Sequence, residues 1–156
     1  MKKFELTTEF ITNAFGKKLF RIKALVEFGD VKAGELGGYV EKEGNVSQAD
    51  NAWVYGDARV YGDARVYGNA EVYGDARVSG NADYALVQGF GTEFRCTTFY
   101  RGKNKKIMVN CGCFHGDLEG FRKQVKETRN GKIAKEYLMI ADLMEYHFTS
   151  EDSSDE

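Results

Sequence analysis

Residues 51–86 read NAWVYG DARVYG DARVYG NAEVYG DARVSG NADYAL, a six-residue repeat of five near-perfect units and a degenerate sixth. Each unit runs small or polar residue, Ala, variable residue, Val, Tyr, Gly. A helix is excluded, because Gly at every sixth position would cost about 1 kcal/mol each against Ala. In an extended segment successive side chains point to opposite faces. Within Ala-x-Val the Ala and Val therefore share one side and the residue between them takes the other. That sends Val54, Val60, Val66, Val72 and Val78, with Ala58, Ala64, Ala70, Ala76 and Ala82, into an interior. The Gly-Asp and Gly-Asn steps supply corners, where positive φ is cheap for Gly and tolerable for Asn or Asp.

On those Val and Ala positions the repeat resembles the hexapeptide-repeat family. The resemblance implies a left-handed parallel β-helix with three units to each triangular coil, so that residues eighteen apart stack. Trp53 then stacks on Glu71, Arg59 on Arg77, Arg65 on Asp83, Tyr55 on Tyr73, Tyr61 on Ser79 and Tyr67 on Ala85. Arg59 and Arg77 share a face as like charges and need a counter-charge or solvent. Six units give about two coils. The Gly-rich stretch 31–50 is expected to add a third, irregular one, with Leu36, Val40 and Val46 turned inward.

Around the repeat the periodicity changes. Residues 3–8 and 18–26 read as two strands joined by a turn at 13–16, a hairpin that would cap the first coil. Residues 93–100 and 105–114 read as two more strands, with Arg101 to Asn104 as their turn. Residues 117–130 form an amphipathic pattern with Leu118, Phe121 and Val125 on one side. A second, at 132–148, carries Tyr137, Ala141, Met144 and Phe148. The expected fold is mainly β: a short left-handed parallel β-helix with an N-terminal β-hairpin and a C-terminal α+β cap. Its parts are a hairpin cap at 1–30, the repeats at 31–88, a ββαα region at 89–149 and a disordered acidic tail at 150–156.

Composition narrows the function classes. At 156 residues the chain is one domain or two small ones, with no readable signal peptide and no long apolar run. Three Cys, an odd number, point to a reducing compartment. The net charge of −2 includes four acids in the tail, without which 20 acidic residues face 22 basic ones. So mild a positive charge is far from a nucleic-acid footprint, and neither nucleic acid nor membrane is expected as a partner.

Cys96, Cys111, Cys113 and His115 are the ligand types of a zinc site. Their spacing is poor, since Cys-x-Cys-x-His on a strand puts ligands about 7 Å apart along one face. Buried strand cysteines are the competing reading, and no cofactor is expected. Many hexapeptide-repeat proteins are acyltransferases that use a His on a coil or an extruded loop. Here the repeats hold neither His nor loop insertion, and His115 and His147 lie outside them. No catalytic residue is therefore assigned. Outward aromatics usually mark an interface. The candidate binding residues are Trp53, Tyr55, Arg59, Tyr61 and Arg77, with a second patch of Arg101, Lys103, Lys105 and Lys106 at a hairpin tip. Self-association is expected first, as a trimer by resemblance to the family.

The flanks carry a second resemblance. FGDVKAGELGGY at 28–39 leading into the repeats, and CGCFHGDLEGF at 111–121 followed by Tyr137-Leu138, resemble small proteins encoded by bacteriophages and prophages. The resemblance implies a non-catalytic accessory protein in the host bacterial cytoplasm that binds and inhibits a host-defence factor, such as a CRISPR effector, by occlusion. The alternatives are an acyltransferase-like enzyme and a self-assembling phage scaffold.

Overall fold

The computed structural model describes residues 2–74, 76–80, 83–93, 95–111 and 114–149. Ala82 of the repeat, Cys113 and the acidic tail lie outside the described residues. The chain order is β1 (Phe4–Thr12), β2 (Lys18–Ala24), β3 (Leu36–Val40), β4 (Trp53–Val54), β5 (Arg59–Val60), β6 (Glu71–Val72), β7 (Arg77–Val78), β8 (Tyr84–Phe90), β9 (Arg95–Arg101), β10 (Ile107–Cys111), β11 (Phe114–Asp117), α1 (Leu118–Thr128) and α2 (Gly131–Thr149).

The repeats form two-residue strands paired in parallel eighteen residues apart. Trp53 pairs with Glu71 and Val54 with Val72; Arg59 pairs with Arg77 and Val60 with Val78. Between strands the chain turns on itself, with the amides of Ala58, Ala64, Ala70 and Ala76 each donating to the Tyr carbonyl three residues earlier. In the turns at Gly56, Gly62 and Gly68 the Gly takes the positive φ and the following Asp or Asn does not, the pattern of a type II′ turn. Gly62 is doubly required, because a Cβ there would also lie 2.6 Å from the Ser79 carbonyl oxygen. The Val and Ala side chains are buried as the alternation demands, each Val contributing about 1.5–3 kcal/mol of burial.

The architecture around this stack differs from the expectation of a single left-handed parallel β-helix with caps. Among the described residues the protein is α+β, with three sheets and two helices. The first sheet, β1-β2-β3-β5-β7, is mixed: β1, β2 and β3 pair antiparallel, while β3, β5 and β7 pair parallel. The second, β11-β10-β9-β8, is antiparallel throughout. Only β4-β6 stands as a separate parallel pair. The physical reason is length. A two-residue strand offers so few ladder bonds that its sheet is completed by longer strands from outside the repeat: β3 joins β5 in parallel, and β2 and β1 continue the sheet antiparallel.

The upstream stretch joins the stack at a different pitch. Val40 pairs with Val60 and Val46 bridges to Val66, a spacing of twenty rather than eighteen. A one-turn 3-10 helix at Glu43–Asn45 absorbs the extra length. Buried Asn45 fills that corner. Its side chain accepts from the amides of Glu41 and Lys42 and donates to the carbonyls of Gly62 and Ala64. Val40 and Val46 are buried as expected, but Leu36 is exposed at the edge where β3 begins. Lys3 ties β1 to the repeats through its ammonium, which donates to the carbonyls of Asp50 (2.7 Å) and Ala52 (2.8 Å). Burial pulls its pKa down to about 8, against the opposing field of Asp50.

The antiparallel sheet is the middle layer. Tyr84 and Tyr100 point into the repeat core, while Phe99 and Val109 point into a second core with Phe121, Val125, Tyr137, Ala141, Met144 and Phe148 of the helices. Strands β8 and β11 were not among the sequence expectations; the strand expected at 105–114 ends at Cys111 and a new one begins at Phe114.

Helix α1 starts where Asp117 caps it, its carboxylate accepting from the Gly120 amide at 2.8 Å. That bond, followed by the Lys106 ammonium at 3.2 Å, holds the Asp117 pKa below the usual carboxylate value. Asp117→Ala should therefore cost about 1 kcal/mol at neutral pH. A carboxylate whose pKa is lowered by folding stabilises above its unfolded value of about 3.9, and that contribution fades as pH falls through the folded one. Urea denaturation of both proteins at pH 7 and pH 3 should show the stability gap narrowing in acid. Asn at this position, an equally good cap, should keep the gap small at both.

Candidate cationic binding site

Registration across the mixed sheet lines up a row of polar side chains. Arg21 pairs with Tyr39, Tyr39 with Arg59, and Arg59 with Arg77. Their neighbours Val40, Val60 and Val78 face the core, so this row takes the outer face. Arg21 is compensated. Its guanidinium lies 4.3 Å over the Tyr39 ring and donates to Glu9 (3.0 Å), to the Gly37 carbonyl (2.8 Å) and, at 3.4 Å, to Asp57. Arg77 donates to the Ala76 carbonyl at 3.0 Å. Arg59 differs: it forms no ion pair among the described residues, and its Nε is buried without a hydrogen-bond partner.

The second sequence patch lies beside this row. The turn between β9 and β10 is a 3-10 turn at Lys103–Lys105, with Asn104 and Lys105 both in left-handed backbone conformation. For Lys105 that conformation costs about 1–2 kcal/mol. The turn carries Lys103 to a groove floored by Arg59, Arg77, Tyr39 and Gly74, and Lys105 to an adjoining groove with Arg77, Tyr61 and Ser79. Arg77 is common to both, so the two patches join into one surface on which the cations outnumber the acids, Asp57 in the first groove and Asp83, beside Arg101, in the second.

The remaining expected residues have other tasks. Trp53, expected to point outward, is completely buried, with its ring edge-on to Phe4 and Phe28 at 5.7 and 5.2 Å. It does leave the repeat interior, but Phe4 and Phe28, from outside the repeat, cover that side. Tyr55 is half-buried: it stacks on Tyr73 at 4.2 Å, its hydroxyl donates to Glu71, and burial raises its pKa well above the usual phenol. His115 stacks in turn on Tyr73 at 4.8 Å. Tyr61 is half-buried and reaches only the second groove. Arg101 pairs with Asp83 at 3.0 Å, an acid expected to stack with Arg65, and lies over Phe148, bolting the sheet to α2. Lys106 turns away to Asp117. Arg21 and Tyr39 were missed; their signal is the twenty-residue offset from Tyr39 to Arg59.

The described members of the zinc set are not gathered. Cys96 shares a strand parity with Tyr100, on the repeat side of the sheet, whereas Cys111 shares that of Val109, on the helix side. The Cys111 sulfur accepts from the Thr97 hydroxyl at 3.1 Å, and burial raises the Cys96 pKa. Cys113 lies outside the described residues. Among the described residues no His, Cys, Asp or Glu cluster could hold a metal ion. No helix is long and apolar enough to cross a membrane. No protein-family model matches this sequence, and no curated protein matches it.

Proposed function

We propose that this chain is a binding protein whose cationic groove seats an acidic element of another protein, and that it acts by occlusion. The observation that carries the reading is Arg59. A buried guanidinium N–H without a partner costs about 1–3 kcal/mol, and Arg59 holds that cost beside the like charge of Arg77. A carboxylate entering this groove would meet Arg59, Arg77 and Lys103 together, through charge-assisted hydrogen bonds.

The proposed partner is a bacterial host-defence factor in the host cytoplasm, and its inhibition follows from covering its working surface. This part rests on the resemblance of the flanking segments to phage and prophage proteins. His115, stacked on Tyr73, and His147, on α2, do not line the groove, so the binding reading uses neither.

Arg59→Glu reverses the charge at the groove floor and should weaken binding by about 2–5 kcal/mol. The measurement is a tagged pull-down from bacteria with active defence systems, read by mass spectrometry, with wild type and Arg59→Glu in parallel. Stoichiometric recovery of a defence protein by wild type, lost in the variant and reduced by salt, supports the reading. Equal recovery by both proteins removes the groove from the interaction. Recovery of the bait alone removes the inhibitor reading.

A further inference from the structure

At one end the second core keeps a cavity of about 290 Å³, lined by β8, β10, β11 and both helices. Helix α1 supplies one wall by spacing alone. Phe121, Gln124, Val125 and Thr128 stand at i, i+3, i+4 and i+7 and share a face. Arg129 follows where the helix ends in extended backbone. Phe121 packs against Phe114 at 6.0 Å and edge-on against Tyr137 at 5.9 Å, which makes the inner wall aromatic. Gly91 brings the turn between β8 and β9 against that wall: its φ is +79°, and a Cβ there would lie 2.6 Å from the Tyr137 hydroxyl.

The lining identifies the ligand. Phe90 and Phe114 are only half-buried, so apolar ring surface faces the cavity. Two polar side chains of the lining lack partners among the described residues. The Gln124 amide makes no hydrogen bond, and the exposed Arg129 guanidinium makes no ion pair. Glu93 lies at the same mouth but is already engaged within the chain, so the uncommitted charge is positive. The volume sets the size: at about 30 Å³ for each water-sized unit, the cavity holds roughly ten non-hydrogen atoms. That is one ring with a short acid arm.

We infer that this cavity is a binding site for a small aromatic carboxylate. The ring packs against Phe90, Phe114 and Phe121, and the carboxylate meets Arg129 at the mouth, beside the Gln124 amide. Ring burial holds the ligand, and the planar guanidinium selects the carboxylate through paired hydrogen bonds. A ligand of this size binds at about 0.1–1 mM. The cavity shares no lining residue with the two cationic grooves, so the site is independent of the proposed protein contact.

Phenylacetate is the probe, titrated to about 10 mM and followed through the backbone amide signals in nuclear magnetic resonance spectra. Phenylacetamide supplies the same ring without the charge, and acetate the acid without the ring. Phenylacetate should shift the amides of Gly91, Thr92, Gln124 and Thr128 and saturate. Phenylacetamide should bind about three- to tenfold more weakly, and acetate should not saturate these signals. Arg129→Gln, at an exposed site past the end of α1, should abolish the preference for phenylacetate with an unchanged circular dichroism spectrum. The absence of shifts at these amides at the highest concentration overturns the inference. So do shifts centred on Arg59 and Arg77, which assign the acid to the cationic groove. Equal binding of phenylacetate and phenylacetamide, or a preference that Arg129→Gln leaves intact, overturns it as well.

Discussion

Replacing Trp53 by Ala is expected to remove about 3–5 kcal/mol of stability. The indole is fully buried, with Phe4 and Phe28 edge-on to it and Gly37 pressed against its six-membered ring. Truncation leaves a cavity where the N-terminal hairpin, β3 and the repeats meet, and these have no other residue of comparable size to fill it. Trp53 is the only tryptophan, so the unfolding of the variant is followed by far-ultraviolet circular dichroism in urea and compared with wild type. Trp53→Phe should cost much less, because it keeps most of the buried ring and deletes an indole N–H that has no partner. A loss below about 1 kcal/mol in the Ala variant, the scale of an exposed site, would mean that Trp53 is not in the core.

The second large effect belongs to Gly38. A Cβ at this position would lie 2.5 Å from the Ala58 carbonyl oxygen and 2.6 Å from Val54 Cγ1. The first neighbour is backbone and cannot rotate away. It is also the acceptor for the Tyr39 amide, one of the bonds that join β3 to β5. Gly38→Ala therefore separates the N-terminal strands from the repeats, at about 3 kcal/mol, the upper end of overpacking costs. For a chain of this size that lowers Tm by roughly 6–12 °C. Gly44 supplies the control. Nothing lies within 4 Å of a Cβ there and its φ is not positive, so Gly44→Ala should stay within about 0.5 kcal/mol of wild type.

The repeat was the most legible part of the chain. Val and Ala at fixed offsets determine which side chains turn inward, and the eighteen-residue register of Arg59 with Arg77 follows from the period. Both are local properties of the sequence. The fold class is not local. Whether a two-residue strand finds its next partner in another repeat or in a long flanking strand depends on segments twenty or more residues away, and there the parallel β-helix expectation failed. Trp53 shows the same limit in a single residue. Alternation correctly turns it out of the stack, but whether outside means water depends on Phe4 and Phe28. A clue was present in the Gly37-Gly38 pair, which lets β3 approach a large ring. Of the groove, Arg59, Arg77, Lys103 and Lys105 were legible one by one as two patches. Their convergence was not, because it depends on how the antiparallel sheet packs against the mixed one.

The middle sheet serves two cores at once, and this orders events as the chain is made. The first core needs Tyr84 and Tyr100 as lining residues, so the repeats cannot close when they leave the ribosome; they wait, apolar side exposed, for β8 and β9. Those strands in turn stay bare on their other face until α1 and α2 emerge. Intermediates that lack these helices therefore show an unsealed surface, and the back of the sheet is covered only once α2 is made. A premature stop anywhere before residue 137 would leave the sheet with an open back, a substrate for the cell's quality control rather than a shorter working protein.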